Sequence, residues 1–350
     1  MDFRAYRGAD PLQWVPIPYN LRVMEGVRYR LLKCLNQHEF RTGTEIGTAL
    51  GLSRAAIHKH VGALVARGVP IHRVPGRGYR LAEGVVLLDE SAITGRLSAR
   101  TRSLVAGFEV LEEVDSTSAH ILRSVDSGPL LGRVCLSERQ TAGHGRRGRA
   151  WVASPYRDIA MSIGVEYPHW PSELPTLALV AGLSIIKALE YLGARGLKLK
   201  WPNDVVYGRR KLCGLLLDVS GEAHGVCRIV VGIGINVSMD AGLARHIDQP
   251  WADLETLTGR ALDRNVIAAQ CLDMLLPAFQ SFPQDGFSRY RSDWERLDAL
   301  RDRSITVRSA NGIVVDGTAA GVDASGRLQV VTDRGTAHAF TQGEVSVRPR

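Results

Sequence analysis

A segment rich in glycine and arginine holds residue types that could bind an anion. It runs from Gln140 to Trp151, and three glycines are interspersed in it with three arginines and no acidic residue. Glycine lets the backbone adopt positive φ and approach a ligand closely, while arginine offers a fixed fork of donors that matches carboxylate or phosphate oxygens. The segment is neither a Walker loop nor a dinucleotide-binding G-x-G-x-x-G sequence. We name it the basic loop and predict that it wraps a small anion, although a solvated basic loop or an RNA-contacting segment would have the same composition.

Three further segments place polar residues beside predicted strands. Asp115–Ser118 follows a strand, where its hydroxyls could bind a polar ligand or simply cap the next helix. Lys200–Asp204 predicts a tight corner, after which Lys211 opens a strand. A cation beside a buried strand is costly unless it faces an anion, although a snorkelling surface lysine would show the same pattern. Gly232–Asn236 ends a strand, either as a close backbone approach to another group or as a plain turn.

Alternating strand and helix patterns from Phe108 to Leu297 predict a mixed α/β domain with one large sheet and helices packed on it. Strands are predicted from 108 and at 131–138, 158–165, 197–201, 211–219 and 227–237, and helices from about 119 and at 176–192, 265–282 and 287–297. After Asp302, short β runs at 305–309, 313–320, 328–332 and 336–340 predict a small terminal β-barrel of about 50 residues.

The N-terminal part has the pattern of a winged helix-turn-helix. A helical pattern from Val23 to Leu35 precedes two amphipathic helices separated by Gly51, and Ser53 can cap the second of them. The apolar faces are predicted to be Ile46, Ala49 and Leu50 in the first helix, and Ala56, Ile57, Val61 and Leu64 in the second. Residues 71–81 then predict a hairpin with Pro75-Gly76 at its tip, which adds the wing.

The charge of this part favours DNA as its partner. Between Arg41 and Leu81 there are seven Lys or Arg and one acid, Glu45. Recognition residues are predicted toward the major groove, and arginines of the hairpin toward phosphates. The first group is Thr44, Arg54, Ala55, His58 and Lys59, and the second is Arg73, Arg77 and Arg80. A winged helix that binds protein is the alternative.

Whole-chain composition fits a cytoplasmic protein of two or three domains. The 350 residues carry a net charge of +8, and the five cysteines form no C-x-x-C motif, which argues against a disulfide framework and a zinc site. Charged residues near the N-terminus argue against a signal peptide. The most apolar stretch, 174–192, contains Ser184, Lys187 and Glu190 and predicts a buried helix instead of a membrane span. Residues 1–22 carry no pattern that we can interpret.

Taken together, these motifs resemble the biotin protein ligases, in the long bacterial form that is also the biotin operon repressor. The resemblance runs from about residue 30 to the C-terminus and covers both the winged helix and the basic loop. Further matching segments are Lys200–Asp204, Lys211–Leu216, Gly234–Asn236 and the terminal Gly343-Glu-Val-Ser-Val. The implied fold is α+β and multidomain, with a winged helix-turn-helix at 23–84, a linker at 85–104, a catalytic domain at 105–300 and an SH3-like β-barrel at 301–350.

The resemblance implies an activity and a set of site residues. Such enzymes join biotin to ATP, with Mg²⁺, and pass biotin to a lysine of the biotin carboxyl carrier protein of acetyl-CoA carboxylase. Arg146 and Lys211 are the implied catalytic residues, which hold the biotin carboxylate and the α-phosphate. Implied biotin-binding residues are Ser116, Thr117, Ser118, Gln140, His144, Gly145, Arg146 and Lys211. Implied ATP or adenylate residues are Asn236 near the phosphates or metal, Trp251 on the adenine, Asp204 in either a magnesium-related or a structural role, and Arg149, with Mg²⁺ carried by ATP and no protein metal site.

Two residues depart from the family pattern. His144 stands where the family often has arginine, and a histidine is mostly neutral at pH 7, so a charge role there is in doubt. Ser118 stands where the family often has asparagine, and the hydroxyl lacks the amide's reach. Backbone contacts at position 144 would survive the change.

The resemblance also implies regulation, in which the adenylate orders the basic loop, the ordered surface dimerises and the dimer binds a palindromic operator. Two alternatives stay open beside this bifunctional enzyme. One is a ligase whose winged helix no longer represses, and the other is a ligand-sensing transcription factor without ligase activity. A lipoate ligase would share the central architecture, but the winged helix and the Trp-Pro-Asn-Asp sequence favour biotin.

Overall fold

The structure is a computed structural model that describes residues 19–124, 130–221, 225–309, 313–341 and 345–349. Most of the N-terminal lead-in, residues 1–18, therefore lies outside the described residues. The chain divides into two compact units. The first comprises the described residues up to Arg67 together with Ile71–Ala82, and the second comprises Gly68–Pro70 and the residues from Glu83 onward.

The first unit has the predicted helix-turn-helix. Helix α1 spans Tyr19–Lys33, α2 spans Gly43–Leu50 and α3 spans Arg54–Ala66. Gly51 ends α2 with φ of 70°, a conformation that suits glycine, and the Ser53 hydroxyl accepts a hydrogen bond from Ala56 N to cap α3.

The predicted apolar faces are confirmed for α3 and partly wrong for α2. Ile57, Val61 and Leu64 are buried, but Ala49 of α2 is exposed. Gly47 takes the inward position instead, because a Cβ there would lie 2.4 Å from the Leu52 carbonyl oxygen of the turn. A glycine carries no hydrophobicity, so the spacing of apolar residues could not reveal this inward position.

The wing is the hairpin that the sequence predicts. Strand β1, Ile71–Val74, pairs antiparallel with β2, Gly78–Leu81, and Val74 lies opposite Gly78. Gly76 at the tip has φ of 76°. The turn at Pro75-Gly76 is therefore confirmed.

The second unit contains a seven-stranded mixed sheet, ordered β3-β4-β5-β9-β8-β7-β6. Its strands are β3 (Gly107–Val114), β4 (Arg133–Gln140), β5 (Ile159–Tyr167), β6 (Leu197–Lys200), β7 (Asp204–Tyr207), β8 (Arg210–Ser220) and β9 (Cys227–Ile235). The β3–β4 pair is parallel and the other pairs are antiparallel. The short strand β7 was not predicted as a strand of its own, and it forms the return after the Trp-Pro-Asn-Asp corner.

Helices cover both faces of this sheet. Helix α6, Thr117–Arg123, packs on β4, β5 and β9, whereas α7 (Leu177–Tyr191) and α10 (Arg264–Asp285) pack on each other. The two faces are distinct, because Val134 and Leu136 of β4 join the large core with α7 and α10 while Cys135 between them packs in a small cluster with Ile121 of α6. We name the second surface the α6 face.

Helix α7 is the apolar stretch that the sequence assigned to the core. Within the described residues, an 18-residue window from Leu174 to Tyr191 is apolar and long enough to cross a membrane, and 78% of it is buried inside the structure. This confirms the prediction of a buried helix.

Two short helices, α4 (Glu90–Thr94) and α5 (Ala99–Leu104), occupy the stretch predicted as a helical linker. Leu88, Ile93 and Leu97 are buried in the large core. The same unit contains three further short helices, α8 (Ala241–Ala244), α9 (Leu254–Thr258) and α11 (Arg291–Leu297).

The C-terminal part is a five-stranded antiparallel sheet ordered β13-β12-β11-β10-β14. Its strands are β10 (Ser304–Ser309), β11 (Val314–Val322), β12 (Leu328–Val331), β13 (Ala337–Phe340) and β14 (Val345–Pro349). Gly343 and Glu344 of the predicted terminal motif lie outside the described residues. The predicted sequence of a helix-turn-helix, a large mixed sheet and a small terminal β unit is confirmed.

Candidate active site

Three buried hydroxyl groups meet on the α6 face of the large sheet. Thr117 Oγ1 lies 2.7 Å from Ser162 Oγ, and Ser118 Oγ lies 3.0 Å from the same atom. Gln140 Oε1, at the end of β4, accepts hydrogen bonds from the backbone N of Thr117 at 2.8 Å and from its hydroxyl at 3.1 Å. We name Thr117, Ser118, Ser162 and Gln140 the hydroxyl cluster. Hydroxyl groups both donate and accept, so the cluster can bind an uncharged polar ligand.

Ser116 lies beside this cluster with a different role. It is the N-cap of α6, and its Oγ accepts a hydrogen bond from Ala119 N at 3.4 Å. The helix thus begins at Thr117, two residues before the predicted start. Ser116 therefore caps the helix, which was one of the two alternatives from the sequence. The hydroxyls of Thr117 and Ser118 instead contact Ser162.

Glycines on β8 and β9 make room for these side chains and for Trp151. Gly214 and Gly234 lie opposite each other on the two strands. A Cβ on Gly234 would lie 2.4 Å from the Trp151 ring, and one on Gly214 would lie 2.9 Å from the same ring. A Cβ on Gly232 would lie 2.7 Å from Ser118 Oγ. The Gly-Ile-Gly motif is therefore not a turn but the part of β9 where the sheet approaches the site most closely.

Lys211 and Asp204 form an ion pair beside these glycines of β8 and β9. Lys211 Nζ lies 2.7 Å from Asp204 Oδ1, and the two side chains are 19% and 18% exposed. The same ammonium lies 5.3 Å from the centroid of the Trp151 ring. A partly buried, partly exposed cation can attract an anionic ligand. The carboxylate and the indole offset the cost of removing water from the Lys211 ammonium.

The basic loop begins at the end of β4 and ends at Trp151, beside the Lys211 ammonium. Arg146, Arg147 and Gly148 form a short 3₁₀ turn in which Arg147 has φ of 61°. Arg146 Nη1 donates to Asn203 Oδ1 at 3.4 Å. Burial lowers the pKa of Arg146 from its ordinary value, and the neighbouring Asp204 opposes that shift. The predicted catalytic pair, Arg146 and Lys211, therefore shares the carboxylate of Asp204 as a neighbour.

Gly145 and the predicted Arg149 lie at the neck of the loop. Gly145 N donates to the Arg149 carbonyl at 2.8 Å, and the Arg149 side chain is exposed. His144 is also exposed, with its Nδ1 3.4 Å from the Ala142 carbonyl. A charge on His144 would lower the pKa of Asp218 on β8, which burial raises. His144 therefore lies within electrostatic range of the Asp218 carboxylate.

The Asn236 side chain hydrogen-bonds two backbone carbonyl groups. Its buried amide nitrogen donates to the Lys211 carbonyl at 3.3 Å and to the Ala252 carbonyl at 3.0 Å. Trp251 lies alongside, because its backbone bridges that of Lys211. The amide therefore fastens the Trp251 segment to β8, and this brings the two predicted nucleotide contacts next to the lysine.

Predicted DNA-contacting residues lie at the surface of the first unit. The side chains of Thr44, Arg54, Ala55, His58, Lys59, Arg73 and Arg77 are exposed. Arg80 is different, because it is half-buried, donates to the Gln37 carbonyl at 2.8 Å and lies 5.0 Å from the Phe40 ring centroid. Arg80 therefore holds the wing in place, contrary to the prediction that it reaches a phosphate.

Sequence reasoning missed three site residues. Ser162 joins two predicted hydroxyls, Asn203 contacts Arg146, and Trp151 covers Lys211. Ser162 was detectable as a polar residue inside a strand that is otherwise apolar, and Asn203 as the polar residue of the cis-Pro corner. The buried Nε1 of Trp151 has no hydrogen-bond partner among the described residues.

Comparison with known proteins identifies the family. The sequence model of the Biotin/lipoate A/B protein ligase family matches residues 112–236, an HTH domain model matches 27–80 and the Biotin protein ligase C terminal domain model matches 302–348. The bifunctional ligase/repressor BirA of Escherichia coli is 35% identical over 92% of this chain and 97% of its own. The chain belongs to the biotin protein ligase family of this bifunctional type.

Other relatives agree with this membership. The bifunctional ligase/repressor BirA of Salmonella typhimurium is 35% identical over 91% of this chain and 96% of its own. Among solved structures, the biotin protein ligase of Aquifex aeolicus in complex with biotin and ATP superposes with a TM-score of 0.60 at 27% identity, and it covers 70% of this chain and 100% of that one. The fold expected from the resemblance is the fold observed.

Proposed function

We propose that this chain is an ATP-dependent biotin protein ligase that also represses transcription in response to biotin. It makes biotinyl-5′-adenylate and transfers biotin to a lysine of the biotin carboxyl carrier protein of acetyl-CoA carboxylase. The observation that carries the proposal is that the hydroxyl cluster and the Lys211–Trp151 pair share one sheet face, in a chain that also has a helix-turn-helix. We place its activity in the cytoplasm.

The first reaction joins two anions, so it needs positive charge more than acid–base groups. A carboxylate oxygen of biotin attacks the α-phosphorus of ATP, the bond to the bridging oxygen of the β-phosphate breaks, and pyrophosphate leaves. Fixed donors aimed at the developing charge account for much of the rate of such reactions. Lys211 supplies that charge as an ammonium beside Asp204, and Arg146 adds a guanidinium from the loop.

The second reaction transfers the acyl group. The uncharged amine of the carrier lysine attacks the carbonyl carbon of the mixed anhydride, the carbon–oxygen bond to AMP breaks, and the amine loses a proton. Until then the anhydride must be kept from water. The basic loop excludes water by closing over the anhydride. Arg146 holds the adenylate, and Gly145, His144 and Arg149 make further contacts where the two ends of the loop meet.

Ligand contacts follow from the chemistry of each group. Thr117, Ser118 and Gln140 bind the uncharged ureido ring of biotin, with Ser116 at the mouth of the same pocket. Trp251 packs on the adenine, and Asn236 keeps Trp251 next to Lys211. Mg²⁺ arrives with ATP and neutralises the leaving pyrophosphate. Asp204 is the partner of Lys211 and not a metal ligand in this proposal, since its Oδ1 already faces the ammonium.

Repression uses the first unit. The exposed residues of α3 read the major groove and those of the wing reach phosphates, in a homodimer that forms when the adenylate is bound. The observation that favours this function over a ligase with an inert winged helix is the exposed row of Arg54, His58 and Lys59 on α3. The core of a protein-binding face is instead depleted of charged residues such as lysine.

Transfer of biotin tests the ligase proposal. Purified protein is incubated with ATP, Mg²⁺, biotin and an apo carrier domain, and the carrier mass is measured. We expect the mass of one biotinyl group to be added, and only when ATP is present. An unchanged carrier mass would refute the ligase proposal and leave a ligand-sensing transcription factor.

A gel shift tests repression separately. The probe is DNA from upstream of the biotin synthesis genes of the same genome, with and without biotin plus ATP. We expect binding to strengthen when both ligands are present, and we expect Lys59→Ala to weaken it while biotin transfer stays normal. DNA binding that ignores the ligands would contradict control by the adenylate.

A further inference from the structure

A second polar cluster lies on the α6 face, away from the hydroxyl cluster. It consists of Glu109 on β3, His120 on α6 and Cys135 on β4. Glu109 and Cys135 are direct partners in the parallel β3–β4 ladder, so their side chains leave the same face of the sheet side by side. Helix α6 crosses that face and brings His120 over the pair.

The spacing of the three groups suits a metal ion. One carboxylate oxygen of Glu109, a ring nitrogen of His120 and Sγ of Cys135 all lie within 4.8 Å of one another. His120 Nε2 is in ion-pair contact with Glu109 Oε2. Zn²⁺ binds sulfur at about 2.3 Å and nitrogen or oxygen at about 2.0–2.2 Å in tetrahedral geometry. The exposed Glu109 side chain is the one of the three with room to adjust.

Burial leaves an entry for the ion on one side only. Cys135 is 1% exposed, whereas the side chains of His120 and Glu109 are 32% and 57% exposed. The sulfur thus forms the floor of the cluster and the other two groups form its rim. Arg123, a cation close enough to lower the pKa of Cys135, forms a bidentate pair with Asp115 at 2.7 and 2.8 Å.

We propose that Glu109, His120 and Cys135 bind one Zn²⁺ ion, with water as the fourth ligand. Thiolate and imidazole ligands favour zinc over magnesium or calcium. The site lies on α6, whose first turn carries Thr117 and Ser118, so the ion fastens the helix of the hydroxyl cluster to β3 and β4. The proposal does not depend on ligase activity.

Deprotonation of the thiol accompanies binding. Burial, with a smaller contribution from Glu109, raises the pKa of Cys135 to about 12. Without metal the group is a thiol, and a coordinated thiol is deprotonated outright. Zinc binding therefore releases a proton, and the positive ion relieves the repulsion between the thiolate and Glu109.

Cobalt substitution tests the site. The chelator-treated full-length protein, kept reduced, is titrated with Co²⁺, and the near-ultraviolet sulfur-to-cobalt charge-transfer band is recorded, followed by displacement with Zn²⁺. We expect one equivalent of Co²⁺ to give the band. Cys135→Ser removes it, whereas Cys271→Ser, which changes another fully buried cysteine, keeps it.

His120→Gln gives a second test at a half-exposed position where folding is not at risk. We expect its apparent affinity for Zn²⁺ to fall at least about tenfold, since even the loss of an outer-shell partner commonly costs 10–100-fold. Absence of the band in the unmodified protein, survival of the band in Cys135→Ser, or equal affinity in His120→Gln would overturn the proposal. Each of these results would leave a surface ion pair beside a core cysteine.

Discussion

The hydroxyl cluster and the basic loop face the same site but are built in opposite ways. Thr117, Ser118 and Ser162 are at most 5% exposed and hydrogen-bond one another, so their positions are set by the fold. In the loop, Arg147 and Arg149 are exposed, and two successive residues, Arg147 and Gly148, have φ of 61° and 69°. The cluster is ready before the ligand arrives, whereas the loop places exposed arginines at its surface.

This difference corresponds to the two parts of the proposed ligand. An uncharged ring is recognised by directional hydrogen bonds, which lose the least when donors and acceptors are already placed. Anionic groups attract arginine from a distance and can order a loop on arrival. The expected consequence is that the cluster governs biotin affinity and the loop governs how long the adenylate stays bound.

The frame of the hydroxyl cluster can be broken from the opposite face of the sheet. Glu138 lies two residues before Gln140 on β4, and its carboxylate pairs with Arg264 Nη2 at 2.7 Å. The side chains of Arg264 and Glu138 are 2% and 0% exposed. We expect Arg264→Met to cost about 3–5 kcal/mol of unfolding free energy, because it leaves a buried charge unpaired. Urea unfolding followed by tryptophan fluorescence measures the loss.

The matched control for this change is Arg228→Met. Arg228 pairs with Glu166 at 3.2 Å, but the two side chains are 38% and 24% exposed. Solvent screening limits such a pair to about 0–1 kcal/mol. Equal destabilisation by the two changes would show that the buried pair has no special part in the frame.

Loss of the lysine is expected to have the largest effect on chemistry. Lys211→Ala should lower the rate of adenylate formation by roughly 10²–10³ and leave the fold intact, since a fixed donor of this kind is worth about that much. Biotin-dependent exchange between pyrophosphate and ATP measures it. Arg210→Ala is the control, because Arg210 is the exposed neighbour on the same strand and lies over the Tyr207 ring instead. Equal losses in both variants would argue for a general charge effect.

A smaller change should separate the cluster from the loop. Thr117→Val keeps the shape of the side chain but removes the hydroxyl that joins Gln140 and Ser162. We expect the KM for biotin to rise about tenfold, since an unsatisfied buried partner costs about 1–3 kcal/mol. The KM for ATP should stay unchanged. Thr141→Val, at an exposed position just beyond the cluster, is the control, and an equal rise there would exclude a specific contact from Thr117.

The sequence predicted more of the cluster than of its setting. Thr117 and Ser118 were found because hydroxyls at a strand end are a local pattern, whereas Gln140 was expected in this pocket from the family resemblance. Ser162 was not found, because its role depends on the pairing of β5 with β4 and on the α6 helix above, which are long-range contacts. The close approach at Gly232–Asn236 was one of two alternatives in the sequence, but the inward position of Gly47 and the role of Gly214 were missed, since glycine marks close approach only when the approaching group is known.

Arg80 and Asn236 both bind backbone carbonyls. Arg80 was expected to reach a phosphate but donates to the Gln37 carbonyl and holds the wing. Asn236 fastens the Trp251 segment to β8, and its place near the phosphates stays a prediction. Polar groups that bind backbone carbonyls have the same composition as those that bind ligands. Only their distances separate the two uses.

Retention of the adenylate tests the contrast between cluster and loop most directly. Labelled biotinyl-5′-adenylate is formed on the protein, excess unlabelled ligand is added, and the release rate is measured for Arg146→Gly, Arg147→Gly and Thr117→Val. We expect release about tenfold faster or more from Arg146→Gly, since a hydrogen bond to a charged group is worth about 1.5–3 kcal/mol. Arg147→Gly should release at the unmodified rate, because glycine suits its φ of 61°. Unchanged release from Arg146→Gly, or equal release from the two glycine variants, would contradict the role of the basic loop as the lid over the adenylate.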